Sequence, residues 1–225
     1  MKDKIKTILP YLDLPLMVLA LYTVFMYAPT ESFMGDTQRI FYFHVSFAWV
    51  GFLAFFLNFA GSIMYLIRKT RRWDILAVST AEIGIAFCII VLTTGPIWAR
   101  PVWNTWCTWD PRLVTFLILT FMYVAYMTVR GAIDEETKRA RFSAVIGIVA
   151  FLNVPLTYLA MKVRTIHPNL REGKKLNLDP RMMTTMRVAV IAITIFFILL
   201  LMRRMDLERL RDRVAELRKK IMNES

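Results

Sequence analysis

Long apolar runs separated by short polar segments set the pattern of this 225-residue chain. Six of them, at about residues 8–28, 41–67, 75–97, 113–129, 142–161 and 186–202, come close to the roughly 20 residues a helix needs to cross a bilayer. The sixth, VAVIAITIFFILLLM, is brief but uninterrupted. Lys2, Lys4 and Lys6 precede the first run as they would in a signal peptide. Pro10, Asp13 and Pro15 break up its early part, however, and no small-x-small cleavage site follows, so it reads as an uncleaved span. The pattern predicts an all-α integral membrane protein: a six-transmembrane-helix bundle over residues 1–202, with a Trp-rich outer loop within 98–115, and a cytoplasmic amphipathic tail over 203–225. In that tail Leu207, Leu210, Val214, Leu217 and Ile221 fall at spacings of 3 and 4, a heptad seam about two repeats long. A membrane surface, a cytoplasmic partner and plain solvent are all open as its surroundings.

Composition agrees, with 57% of residues hydrophobic. The net charge of +12 would point to nucleic acid in a soluble protein; here its distribution reads as topology, with no nucleic acid expected. Lys and Arg number 3 before the first span, 4 in each of the second and fourth loops and 8 after residue 202, against 1 and 2 in the first and third loops. The positive-inside rule then puts both termini in the cytoplasm. The fifth loop departs from the rule, with Lys162, Arg164, Arg171, Lys174, Lys175 and Arg181 on the outer side. Those cations have a task outside, or a span is misplaced. Cys88 falls within a span and Cys107 in a loop, so no disulfide is expected.

This topology brings three sequence-distant features to one membrane face. They are the only two histidines, His44 and His167, and the third loop, WARPVWNTWCTWDPR. Each has an ordinary explanation, an interfacial histidine or an aromatic-belt anchor. Four indoles in twelve positions exceed what anchoring needs. Trp103, Trp106 and Trp109 would form one aromatic strip on a helical turn, while Pro96, Pro101 and Pro111 argue for short broken helix or loop. Trp98, Arg100 and Arg112 flank them. A flat apolar shelf with arginines and two imidazoles suits a planar, dianionic, iron-containing macrocycle. Imidazole is an axial ligand of haem iron, and arginine forks suit its propionates. Asp110 before Pro111 has the form of a helix N-cap, with Arg112 as its nearest cationic neighbour in sequence.

The run WNTWCTWDPRL resembles the tryptophan-rich "WWD" signature of haem-handling membrane proteins, in particular the CcmC family of bacterial cytochrome c maturation. Trp103, Trp106, Trp109, Asp110, Arg112 and Leu113 match it. RIFYFHVSFAW (39–49) and LNVPLTYLAMKVRTIH (152–167) resemble two further blocks of that family, and the resemblance extends over residues 8–202. It implies that His44 and His167 are axial ligands of haem b, with Arg39 and Arg112 near the haem carboxylates. It implies a bacterial inner-membrane protein that presents haem on the periplasmic side to the chaperone CcmE, beside the CcmA–CcmB ABC transporter and the small CcmD subunit. Such a protein transfers haem and is not itself an enzyme. Asn104 stands where the family has glycine, Cys107 where another tryptophan is common, and Val163 and Arg164 replace aromatics.

Rival readings are a b-type electron-transfer cytochrome, a cytochrome c synthase and a structural docking subunit. The first usually stacks two haems on four histidines. The second has more histidines in a longer chain. Among weaker signals, Glu82 is an intramembrane carboxylate, near the boundary or paired, and Asn58 and Asn153 are candidate interhelical hydrogen-bond donors.

Overall fold

The computed structural model describes residues 2–160, 171–172, 175–176 and 179–224. Its elements are α1 (Lys2–Tyr22) prolonged by a π-turn (Thr23–Tyr27), α2 (Gln38–Arg68), α3 (Arg71–Trp103), α4 (Pro111–Ala132), α5 (Glu136–Phe151), α6 (Asn153–Ala160), a hairpin of β1 (Arg171–Glu172) and β2 (Lys175–Leu176), and α7 (Pro180–Glu224). Helices α5 and α6 act as one span. Six helical segments among the described residues are thus long and apolar enough to cross a membrane, one for each apolar run. The protein is an all-α, multi-pass membrane bundle.

Pro155 accounts for the break between α5 and α6. It has no N–H for the Phe151 carbonyl, and its ring crowds that carbonyl. The Leu152 N–H turns back to the Val149 carbonyl at 3.1 Å before the helix restarts. Two other boundaries differ from the sequence expectation. The apolar run of the third span stops near residue 97, yet α3 continues through Pro96 and Pro101 to Trp103. The tail prolongs the helix of the sixth span, α7 running unbroken for 45 residues through position 202.

Lipid is as apolar as leucine, so burial alone gives little drive for helices to associate, and close packing with interhelical polar contacts takes its place. Gly84 on α3 lets the Phe55 ring of α2 lie against the helix; a Cβ there would be 2.5 Å from Phe55 Cε1. The same ring stacks on Tyr123 of α4, with centroids 3.7 Å apart and planes 8° from parallel. Both candidate asparagine donors bridge helices as expected. Asn58 Nδ2 donates to the Ala77 carbonyl at 2.8 Å, and Asn153 Nδ2 donates to the Thr115 carbonyl at 2.7 Å.

At the end of the bundle carrying Arg71, charged groups lock α7 to its neighbours. Arg71 reaches Asp74, Glu136, Glu208 and Asp212. Arg130 of α4 makes a two-pronged bond to Asp74, and Lys6 meets Asp206 at 2.6 Å. Glu82 is paired, and within this chain: Arg204 of α7 donates to both of its carboxylate oxygens.

Candidate functional site

His44 lies in the second turn of α2, half-buried, with its ring against Thr94 and Gly95 of α3. Its Nδ1 is 3.0 Å from the Thr94 hydroxyl oxygen. That hydroxyl has one proton and donates it to the Ile90 carbonyl at 2.7 Å. Its oxygen is therefore free to accept, and the neutral imidazole satisfies it by carrying its proton on Nδ1. This assignment leaves the lone pair on Nε2, the atom a metal would take, and it fixes the ring through a partner outside the coordination shell. Gly95 supplies the room. A Cβ there would stand 3.3 Å from His44 Cε1, tight enough to push the ring aside.

One turn beyond Thr94, Trp98 is 6% exposed, and its indole Nε1 has no hydrogen-bond partner among the described residues. Trp103 meets it edge-on, at 4.9 Å between centroids and 86° between planes. Beyond Trp103 the chain leaves the helix, so the continuous helical strip of Trp103, Trp106 and Trp109 does not form; residues 104–110 are bend and irregular backbone. The stop is set by Asn104, which caps α3 in the left-handed region at φ 55°. Glycine and asparagine both accept that conformation, so asparagine in the family's glycine position preserves the backbone. Arg100 secures the turn, donating from NH1 to Asn104 O at 2.8 Å and to Asn104 Oδ1 at 2.7 Å. Its guanidinium also sits 5.9 Å from the Trp106 ring centre. Trp109 itself adopts φ 51°, a costly conformation for a bulky residue and one that occurs where surroundings or function demand it. Trp106 and Trp109 are 60% and 70% exposed, so this end of the molecule presents two open indoles beside a buried Trp98 and a half-buried Trp103.

Asp110 caps α4 as its sequence indicates. Its Oδ1 accepts from the backbone N–H groups of Arg112 and Leu113, each at 3.0 Å, and Pro111 takes the first helical position. The expected side-chain partnership with Arg112 is not formed as an ion pair among the described residues; the two are joined through the Arg112 amide instead. The other carboxylate oxygen, Oδ2, is buried without a hydrogen-bond partner among the described residues. Asp110→Ala is expected to cost about 1 kcal/mol of stability, the usual worth of an N-cap, read from denaturant unfolding in detergent. An unchanged midpoint would show that Pro111 alone starts α4.

Arg112 lies within electrostatic reach of His44. Arg39 is five residues before His44 on α2, but its NH1 donates to the Val24 and Phe25 carbonyls at 2.6 and 2.9 Å, and its Nε pairs with Asp36. It thereby satisfies carbonyls at the end of the π-turn, a structural duty the sequence did not reveal. His167 lies outside the described residues; α6 ends at Ala160 on the tryptophan side, since Asn153 is tied to Thr115 near the start of α4. The structure thus gathers His44, the four tryptophans, Asp110, Arg100 and Arg112 at one end of the bundle, with Arg39 beside them. Sequence reasoning missed Thr94 and Gly95, because a contact between antiparallel helices leaves no local signature. The pair Thr94–Gly95 before Pro96 was the only available hint.

Among curated proteins, the chain is similar to Heme exporter protein C of Bradyrhizobium diazoefficiens, 33% identical over 194 residues, 84% of this chain and 73% of that one. The Rhodobacter capsulatus protein of the same name is 32% identical over 155 residues, 69% of this chain and 63% of its own. That of Escherichia coli K12 is 27% identical over 198 residues, 87% and 78% respectively. The family model described as "CcmC: Heme exporter protein C" matches residues 1–220. With almost its whole length matched, the chain belongs to the haem exporter protein C family.

Proposed function

We propose that this protein binds haem b at the tryptophan end of the bundle, with His44 and His167 as axial ligands, and passes it to a CcmE-type periplasmic chaperone for c-type cytochrome maturation. The observation that carries the reading is His44: its Nδ1 lies 3.0 Å from the Thr94 hydroxyl, which itself donates to the Ile90 carbonyl, and among the described residues its Nε2 has no hydrogen-bond partner. Family membership adds the cargo, since the relatives are haem exporters by name.

The residues present fit a planar dianionic metal macrocycle. Trp106 and Trp109 offer open apolar faces, Trp98 and Trp103 back them, and Trp98 Nε1–H and Asp110 Oδ2 are buried polar groups with no partner among the described residues. Arg112 is the cation best placed for a propionate. Arg39 and Arg100 already serve backbone carbonyls and would share their remaining N–H groups. When bound, haem would bring an iron that the imidazoles of His44 and His167 would ligate; everything else would be done by the chain. Thr94 orients one ligand, the indoles exclude water, and the arginines set which way the carboxylates point. A site at an open loop suits a protein that must release what it binds. The charge distribution supports an inner-membrane chain with both termini in the cytoplasm and the tryptophan end in the periplasm. CcmA–CcmB and CcmD-type subunits are then its membrane partners, and any ATP hydrolysis belongs to them.

Visible spectra of the detergent-purified protein supplied with haem, oxidised and dithionite-reduced, test the reading. A low-spin six-coordinate haem is expected in the unaltered chain and a five-coordinate one in His167→Ala. A protein that stays colourless after haem is supplied overturns it and leaves the tryptophan loop as a docking surface.

A further inference from the structure

At the end of the molecule opposite the tryptophans, α7 carries an apolar face that none of the described residues covers. Leu207, Leu210, Val214, Leu217 and Ile221 are each between 55% and 67% exposed. At 100° per residue they form one seam, and Glu208 and Asp212, which grip Arg71, lie about 160° around the helix from it. The seam therefore points away from the bundle. Charge is sorted by face as well. The acidic residues Glu208, Asp212 and Glu216 follow each other at intervals of four on the far side. The positions beside the seam are Arg211 and Arg218 on one edge, Arg213 and Lys220 on the other. Among the described residues Arg213, Arg218 and Lys220 have no ion pair, and Arg211 has only a 3.8 Å approach to Glu208.

We infer that this seam docks an amphipathic helix of a partner protein whose own apolar stripe is flanked by Glu or Asp. Three observations select that occupant. A second copy of the chain would set Arg213 against Arg218 across the seam, and like charges at these flanking positions oppose pairing. The one acidic residue at such a position, Asp206, is held by Lys6 and Arg209. A lipid surface would need α7 to bend, yet it is one continuous helix of 45 residues, about 67 Å long. The stretch where a bend would fall is fixed by Lys6–Asp206 and by Arg204 on Glu82 and Glu208. An acidic-flanked helix alone matches the seam in both apolarity and charge. The inference does not depend on haem binding.

The probe is a synthetic three-heptad peptide with Leu on its seam and Glu on both flanks, titrated against the full chain in neutral nanodiscs. The full chain carries Cys107→Ser and a solvent-sensitive dye on Val214→Cys. Binding is expected to weaken at least tenfold when the peptide's flanks are Lys. The same loss is expected when the protein carries Leu210→Gln with Leu217→Gln, exposed changes that leave the bundle intact. Equal binding of a peptide with Gln along its seam would reduce the contact to surface charge and overturn the inference. So would absence of binding, a dye shift on moving from neutral to anionic nanodiscs without peptide, or dimers cross-linked through position 214.

Discussion

Replacing Asp74 with asparagine is expected to lower the stability of the bundle by about 3–5 kcal/mol, the range for removing one partner from a buried ion pair. The Asp74 side chain is 3% exposed and that of Arg130 8%. Arg130 donates to the two carboxylate oxygens at 2.6 and 2.7 Å, and Arg71 donates to one of them as well. Asparagine keeps the shape but replaces one acceptor with an N–H₂ group that faces a guanidinium. Arg71 retains Glu136, Glu208 and Asp212, so its charge stays compensated. Arg130 has no other ion-pair partner among the described residues and keeps its charge buried between α3 and α4. Unfolding in mixed micelles, followed by tryptophan fluorescence, reads the loss. Arg130→Met should cost a similar amount. Asp74→Leu combined with Arg130→Met should cost less than the sum of the single changes, because no lone charge remains. A loss in Asp74→Asn below about 1 kcal/mol would place this pair with solvated ones such as Lys138–Glu135, whose side chains are 67% and 54% exposed.

That ion pair also marks where sequence reading stops. Asp74 and Arg130 stand 56 positions apart, each at the polar edge of an apolar run, and only the packing of α3 against α4 brings them together. What hydropathy controls was legible: six spans, each laid over its run, because a helix in lipid must satisfy its own backbone and the length it needs is set by the bilayer. What local stereochemistry controls was legible too. Asp110 before Pro111 caps α4 as its sequence says. Helix ends beyond the apolar runs were not, since the run marks only the part in hydrocarbon: α3 passes through two prolines to Trp103, and α7 continues 22 residues past position 202. At the tryptophans, residues 104–110 form the loop that the prolines argued for, and the strip that a helical turn would have made is absent. A period of three describes a strip only if the segment is helical, and the left-handed backbone at Asn104 ends the helix before Trp106.

His44→Ala is expected to remove one axial ligand and turn the haem spectrum from six- to five-coordinate, with a loss of affinity beyond the roughly 10–100-fold range of outer-shell changes. Exogenous imidazole should restore the low-spin spectrum if the vacated space is bordered by Thr94 and Gly95 as found. Thr94→Val separates ligation from orientation. Valine has nearly the shape of threonine but no oxygen, so His44 Nδ1–H loses its acceptor while the ring keeps its neighbours. The imidazole then exchanges between tautomers, and the form with the Nε2 lone pair is no longer the one selected. Haem should still bind six-coordinate, about 10–100-fold more weakly; Thr94→Ser, which keeps the hydroxyl, should bind as the unaltered protein does. If Thr94→Val binds haem like the unaltered chain, the threonine is only a helix-packing residue and Nε2 is presented by the backbone position of His44 alone. If His44→Ala keeps a six-coordinate spectrum, the iron takes another side chain, and His44 must be read as a buried polar contact between α2 and α3.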